Sequence, residues 1–488
     1  MHLLSGIVVQ NHVFDLPDGF CDDVEDHRVK RIYILLGVLA VVCVAAFAVI
    51  HYQEKQEEIQ TSGETILSVD PDAVQSLSWE YQSEEFAFHR DENWVYDADE
   101  QFPVDADKIQ ELLEVFQDFG AAFIIQEVTD FGQYGLDNPQ CTVQLTTEDT
   151  TYEIKLGDYS TMDSQRYVSI GDGNVYLAAT DPLDTFDVAL SDLIQNDEIP
   201  QFDQADSIQF AGEESYQVTY QEDSSATYCD DDVYFKQDGD SLLPLDTSLV
   251  ESYLSSLSGL ELTDYVTYTA GEEDLSTWGL DDPELTVTVT GPDQDGESQT
   301  VTLSISRDPA ERAKAAEETE EEADEEEEIT AYARVGESQI VYRISSDSYR
   351  ALMAYTYDDL RHTQVLTADF ADITGLDISL EGAEYSITST GKGEKRTFYY
   401  QEEELDTQDL QQALENLTAS SFTHESPSQK EEISLTVYLD NENYPSVQIQ
   451  FYRYDGEQCL AVVDGQPVSL VSRTAVVDLI EAINAIIL

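Results

Sequence analysis

The sequence predicts an α+β protein in which an N-terminal transmembrane helix is followed by three related repeat units, each an antiparallel sheet carrying helices. Three observations predict it. Ile32 to Ile50 is an unbroken apolar run without a charge. An aspartate followed by apolar residues at helical spacing occurs three times beyond it, and a Gly-Leu-Asp-x-Pro turn leading into an alternating apolar stretch occurs twice. These features divide the chain into a cytoplasmic tail (1–31), a transmembrane helix (32–52), a spacer (53–68) and unit one (69–200). Unit two (201–367) follows with an acidic low-complexity insertion at 310–328, and then a degenerate unit three (368–488).

In chain order, Met1 to Asp26 carries six acidic residues from Asp15 to Asp26 and no sustained helical period, so no fold is expected of it. The run IYILLGVLAVVCVAAFAVI would extend about 28 Å as a helix, close to the thickness of a bilayer's hydrocarbon core. Tyr33 and Tyr52 stand at its ends, where aromatic rings favour the headgroup zone. Arg28, Lys30 and Arg31 before the run outweigh Lys55 after it, which keeps the amino terminus cytoplasmic and places the remainder outside the membrane. A cleavable secretory signal would need a shorter apolar region, and the small residues Ala46 and Ala48 lie inside the run instead of after it. Lipidation at Cys43 is disfavoured because Val41 and Val42 precede it. Gln53 to Thr65 is rich in Gln and Glu and suits a spacer.

The repeats are anchored by helices. Asp105 precedes Ile109, Leu112, Leu113 and Phe116; Asp246 precedes Val250, Tyr253, Leu254 and Leu257; Asp406 precedes Leu410, Ala413, Leu414 and Leu417. Each set makes one helical face, and the aspartate can cap free backbone N–H groups at the positive end of the helix dipole. Tyr134-Gly135-Leu136-Asp137-Asn138-Pro139 and Trp278-Gly279-Leu280-Asp281-Asp282-Pro283 then read as turns, with Gly supplying positive φ and Pro excluding helix. Strands follow at Cys141, Val143, Leu145 and at Leu285, Val287, Val289. The first unit closes with a hairpin from Tyr167 to Leu177 and a helical Asp184 to Leu193; the second closes with a hairpin from Tyr332 to Ile344 and a helix from Asp347 to Leu360. The third has strands around Tyr385, Thr397, Ile433, Val447 and Cys459 and a final helix from Ser472 to Ile487, but lacks the turn. The Glu-rich insertion falls where the first unit has a hairpin tip, and its like charges favour a solvated excursion over a converging cation site. Asp293-Gln294-Asp295-Gly296-Glu297 resembles the start of a calcium loop without its later ligands, so a hairpin turn is expected.

The membrane run, the Trp-containing strands, the Asp-capped helix, Tyr-Gly-Leu-Asp-x-Pro, the hairpin with Arg166-Tyr167-Val168 and the closing Asp192-Leu193 together resemble bacterial domain-of-unknown-function family 4340. The second unit repeats the pattern and closes with Asp358-Asp359-Leu360-Arg361. The resemblance covers Ile32 to Arg361, and the third unit by analogy of helix and strands. It implies a membrane-anchored accessory protein of ABC-type transport systems, including those compared with gliding-motility auxiliary proteins, and carries over no catalytic residue.

Composition narrows the partners. Against 22 Lys and Arg stand 102 Asp and Glu, a formal charge of −80, so nucleic acid and anionic lipid headgroups are poor partners for the exterior, and cations or basic protein surfaces better ones. With 41% hydrophobic residues the chain can still bury a core. Cys141, Cys229 and Cys459 are odd in number and widely spaced, which signals neither a disulfide framework nor a zinc site. His89, His362 and His424 lack paired-ligand spacing and read as surface or satisfied core residues, and no nucleophile elbow or phosphate-binding loop occurs. No catalytic, cofactor-binding or metal-ligating residue is therefore expected, and no cofactor. The expected function is extracytoplasmic binding or scaffolding at the cell membrane, held by one helix, with an ABC-type permease or another envelope protein as partner. The alternative is an extracellular hydrolase that uses two carboxylates on a cell-wall glycan.

Overall fold

Strands that alternate apolar and hydroxyl side chains build three sheets of nine strands each, all paired antiparallel. The computed structural model describes residues 63–487 apart from 203, 293–295 and 316–327. Among the described residues no helix is long and apolar enough to cross a membrane. The expected transmembrane helix at 32–52 and the tail at 1–31 lie outside them. The three expected units with antiparallel sheets are present, but the molecule is mainly β, with few helices.

One topology serves all three sheets. In the first, Val74–Tyr81, Glu84–Arg90 and Trp94–Tyr96 run outward from the middle of the sheet, and the helix Ala106–Glu114 follows. Phe119–Ile125 then takes the far side, and the meander Cys141–Thr147, Thr151–Ser160, Gln165–Ser169 and Val175–Ala178 fills the space between. Glu64–Leu67 adds a strand beyond Phe119–Ile125. The second and third sheets follow the same path and instead gain a strand at the near edge, Ser241–Pro244 and Glu403–Glu404. The first sheet and its helices form one compact body ending at Leu193; Gln101–Asp105 and the chain from Ile194 onward form a second, which holds the other two sheets.

The helical faces read from spacing are all buried: Ile109, Leu112, Leu113 and Phe116; Val250, Tyr253, Leu254 and Leu257; Leu410, Ala413, Leu414 and Leu417. They cover the apolar face of each sheet. In the first, Phe116 meets Phe186 of the closing helix at 5.7 Å, and Phe186 meets Trp79 of the sheet edge-on at 5.5 Å; Phe210 meets Tyr253 at 5.3 Å in the second, and Leu410 and Leu414 join Ile449, Leu479 and Ile483 in one core in the third. The opposite faces carry hydroxyl and amide groups, because a period of two sends every second residue there. Pairs across strands include Ser78 with Gln144, Thr288 with Thr302, and Thr436 with Gln448.

Gly135 and Gly279 end short 3-10 turns or follow them with φ of 72° and 71°, as the turn chemistry requires. The Glu-rich insertion sits between Ser298–Arg307 and Ala331–Val335, where the first unit has only the turn between Thr151–Ser160 and Gln165–Ser169; Pro309–Ala315 is helical and 316–327 lie outside the described residues. The strands on either side of the expected calcium-like segment, Leu285–Pro292 and Ser298–Arg307, pair antiparallel, and residues 293–295 of that segment lie outside the described residues. Each expected closing helix is divided in two, at Leu183–Phe186 and Leu190–Leu193 and at Ser346–Met353 and Tyr357–Leu360. The second division has a clear cause: Thr356 and Asp359 form a reciprocal capping box that starts a new helix.

Candidate functional site

The local sequence Thr227-Tyr228-Cys229-Asp230-Asp231-Asp232 lies between the strands Tyr216–Tyr220 and Tyr234–Asp238 and folds around its own hydroxyl. Thr227 Oγ1 donates to Asp232 Oδ2 at 2.6 Å and accepts from Cys229 N at 3.0 Å. Thr247 holds the other end of the loop, donating from Oγ1 to Asp231 O at 2.7 Å and accepting from Val233 N at 3.1 Å. These bonds leave Oδ1 of Asp232 turned inward in a side chain that is 1% exposed.

Two further elements converge on it. Asp246 caps the helix Thr247–Ser258, with Oδ1 accepting from Ser248 N at 3.0 Å, so its Oδ2 is free to face elsewhere. His362 follows the helix Tyr357–Leu360, whose last residue accepts from Asp246 N at 2.9 Å and so fixes the two segments side by side. Arg361 is held over the rings of Tyr357 and Phe422, 4.8 and 4.3 Å from their centroids. The imidazole of His362 then stands with Nε2 at 2.6 Å from Asp232 Oδ1 and Nδ1 at 3.4 Å from Asp246 Oδ2.

Burial alone would lower the pKa of His362. The Asp232 hydrogen bond and the charges of Asp232 and Asp246 outweigh it, so the pKa is raised and the protonated ring is favoured. The thiol of Cys229 is pushed up to about 11 by burial, then by the Asp232 charge. Sγ of Cys229, a carboxylate oxygen of Asp232 and a ring nitrogen of His362 all lie within 4.8 Å of one another. The group opens into a cleft of about 340 Å³ that Gln364, Asp369 and Glu415 also line. From there the chain enters the third sheet: Val365 N donates to Leu417 O at 2.9 Å, and Val365 and Leu366 join the third core.

The other singled-out residues lie apart. His89 is exposed on the first sheet beside Asp97, and His424 is exposed. Cys141 and Cys459 are buried free thiols in strands. Arg166, 6% exposed, donates to Asp181 Oδ1 at 2.7 Å, Gln140 Oε1 at 2.9 Å and Gly157 O at 2.8 Å, which makes it a structural cation. Sequence reasoning singled out Cys229, Asp246 and His362 separately and missed both Asp232 and the convergence. The only local signal was a Thr-x-Cys-x-x-Asp loop, and its partner lies 130 positions away.

A chain of repeated antiparallel sheets with a mixed cluster of thiol, carboxylate and imidazole defines a class by architecture and not by chemistry. The chain belongs to the family described as Domain of unknown function (DUF4340), whose model matches residues 94–232 and 236–436. Both segments begin at corresponding strands, Trp94–Tyr96 and Tyr234–Asp238, so the match follows the repeat. No curated protein and no solved structure matches the chain.

Proposed function

We propose that the protein is a single-pass, membrane-anchored binding or scaffolding component on the outer side of the cell membrane, accessory to an ABC-type transport or envelope system. The observation that carries this reading is the open face of each sheet. On the second, Thr286, Thr288 and Thr290 meet Ser304, Thr302 and Thr300 through hydroxyl contacts of 3.3, 3.0 and 2.9 Å. Hydroxyl side chains can donate and accept without the cost of stripping water from a charge, so such a face can dock against another protein's polar surface in a chain otherwise dominated by carboxylates. The apolar run Ile32 to Ile50 and the basic residues before it support anchorage and orientation. An anchor raises the effective concentration for a membrane neighbour.

The hydrolase alternative requires two carboxylates free to act on a bond. In the acid-lined cleft Asp232 is engaged by Thr227 and His362, and Asp246 Oδ1 by the helix it caps, so Asp369 and Glu415 are the carboxylates such a reaction would call on. The test is capture of full-length tagged protein from detergent-solubilised membranes. An ABC-type permease should co-purify, and Thr288→Lys with Thr302→Glu, which exchange neutral hydroxyls for charge, should weaken capture without unfolding the protein. Turnover of a wall glycan by the purified protein, stopped by one Asp→Asn or Glu→Gln change, would establish the hydrolase instead.

A further inference from the structure

We propose that Cys229, Asp232 and His362 form a site for a divalent transition-metal ion of the zinc type, with Asp246 and Thr227 as its outer support. The donor set is the first argument. Sulfur, imidazole nitrogen and carboxylate oxygen lie within 4.8 Å of one another. A thiolate with an imidazole suits borderline ions such as zinc and suits calcium or magnesium poorly, since those take oxygen ligands.

The surroundings are the second argument, because two of the three ligands are aimed by a group that is not itself a ligand. Asp246 faces Nδ1 of His362 at 3.4 Å and favours a proton there, so the Nε2 proton is the one an ion would displace, on the side of Asp232 and Cys229. The Thr227 hydroxyl occupies Oδ2 of Asp232 and leaves Oδ1 for the ion. The Asp246 carboxylate would then stand behind the imidazole on the side away from the metal, as the groups that orient histidine ligands do. Cys229 and Nε2 of His362 each give a proton to solvent as the ion binds, since the thiolate and the unprotonated ring nitrogen are the ligands. The Nε2 to Oδ1 separation must open from 2.6 Å to roughly 3.3 Å, the spacing of two ligands on a tetrahedral ion with bonds near 2.0 Å. Three protein donors leave a fourth position on the side of the cleft, open to water or to a side chain of a docked protein.

Cobalt(II) is the probe, because a cobalt–thiolate bond gives a near-ultraviolet charge-transfer band that carboxylates alone do not. Full-length protein in excess magnesium and calcium, which fill weak acidic sites, should take up one cobalt with that band and lose it when zinc is added. Cys229→Ser should abolish the band, and Asp232→Asn and His362→Gln should each weaken zinc binding about tenfold or more. Asp246→Asn should weaken zinc binding while keeping the band. Cys141→Ala and Cys459→Ala serve as controls that should change neither. Circular dichroism identifies any variant that has failed to fold; for such a variant, Cys229→Ala in the wild-type background decides. No charge-transfer band in folded wild-type protein, or a band that survives loss of Cys229, would overturn the site and leave the cluster an ion pair only.

Discussion

Two histidine–aspartate pairs in this protein have the same separation and opposite surroundings. His89 Nδ1 lies 2.6 Å from Asp97 Oδ1 in the first body, and His362 Nε2 lies 2.6 Å from Asp232 Oδ1 in the second. The first pair is 41% and 48% exposed, the second 17% and 1%. Both histidines are raised in pKa, yet the causes rank differently. For His89 the Asp97 hydrogen bond leads; for His362 burial leads and opposes, and is overcome by two carboxylates. Around His89 water competes for each charge and screens it. A second carboxylate faces the other ring nitrogen in both places, Asp91 at 3.7 Å from His89 and Asp246 at 3.4 Å from His362, but only around His362 is the first carboxylate held by Thr227 and joined by a thiol. Distance therefore does not distinguish a surface ion pair from a site, whereas the number of groups that converge and the water they exclude do.

The largest effect that sharpens this contrast is expected from removing the two aspartates in turn, with a chelator present so that no metal contributes. Asp232→Ala leaves the Thr227 hydroxyl and the His362 ring without their acceptor in a buried place and should cost about 2–3 kcal/mol. Asp97→Ala removes an exposed partner and should cost under about 1 kcal/mol. Hydrogen exchange read separately in strands Tyr234–Asp238 and Glu84–Arg90 assigns each loss to its own body, which a single melting curve of a multi-domain chain would not. Equal losses would mean that burial is not what separates the pairs.

A smaller effect tests the same lesson on backbone geometry. Gly135 and Gly279 have nearly the same φ, 72° and 71°, but a Cβ at Gly135 would stand 2.6 Å from the Asp158 carboxylate and 2.8 Å from its backbone nitrogen. At Gly279 the nearest atom would be the Ser306 hydroxyl at 2.8 Å, a group that can rotate. Both Gly→Val changes should cost at least about 1 kcal/mol, since a β-branched residue fits positive φ badly. Gly135→Val should cost the more because backbone cannot give way as a hydroxyl can. Local exchange at Cys141–Thr147 and Leu285–Pro292 measures the two; the reverse order would show that neighbours matter less than φ.

Legibility in the sequence followed the range of the interactions. The helical faces headed by Asp105, Asp246 and Asp406, the two glycine turns and the alternating strands are local patterns, and the structure bears them out. Ala419–Phe422 and Gln466–Ser472 went unread because one is short and polar and the other contains Pro467; the second becomes a strand by pairing with Gln458–Val463, and the first by pairing with the second at the sheet's far side. The cluster was the least legible part. Asp246 shows only its helix-capping role in sequence, Cys229 looks unpaired, and His362 acquires its partner through the folding of the whole second sheet. Among many acidic residues no local signal marks Asp232 as the one to be buried.

The smallest expected effect is the pH dependence of the exposed pair. Folding raises the pKa of His89 above 6.5, chiefly through the Asp97 hydrogen bond, with burial opposing and the charges of Asp97, Asp91 and Glu100 adding to it. The folded state thus binds the proton more tightly than the unfolded chain, and the contribution is fully present below pH about 6.5 and lost as pH rises through the folded pKa. Because His89 and Asp97 are both well over a third exposed, screening keeps that contribution under about 0.5 kcal/mol. His89→Gln should therefore lower protection of strand Glu84–Arg90 slightly at a pH of about 5.5 and leave it unchanged at about 9. Added salt should shrink the difference at the lower pH, since exposed charges are screened. A loss of the same size at both pH values would mean that His89 acts by packing and not by charge, and the exposed pair would then share with the buried one a structural role that its surroundings do not predict.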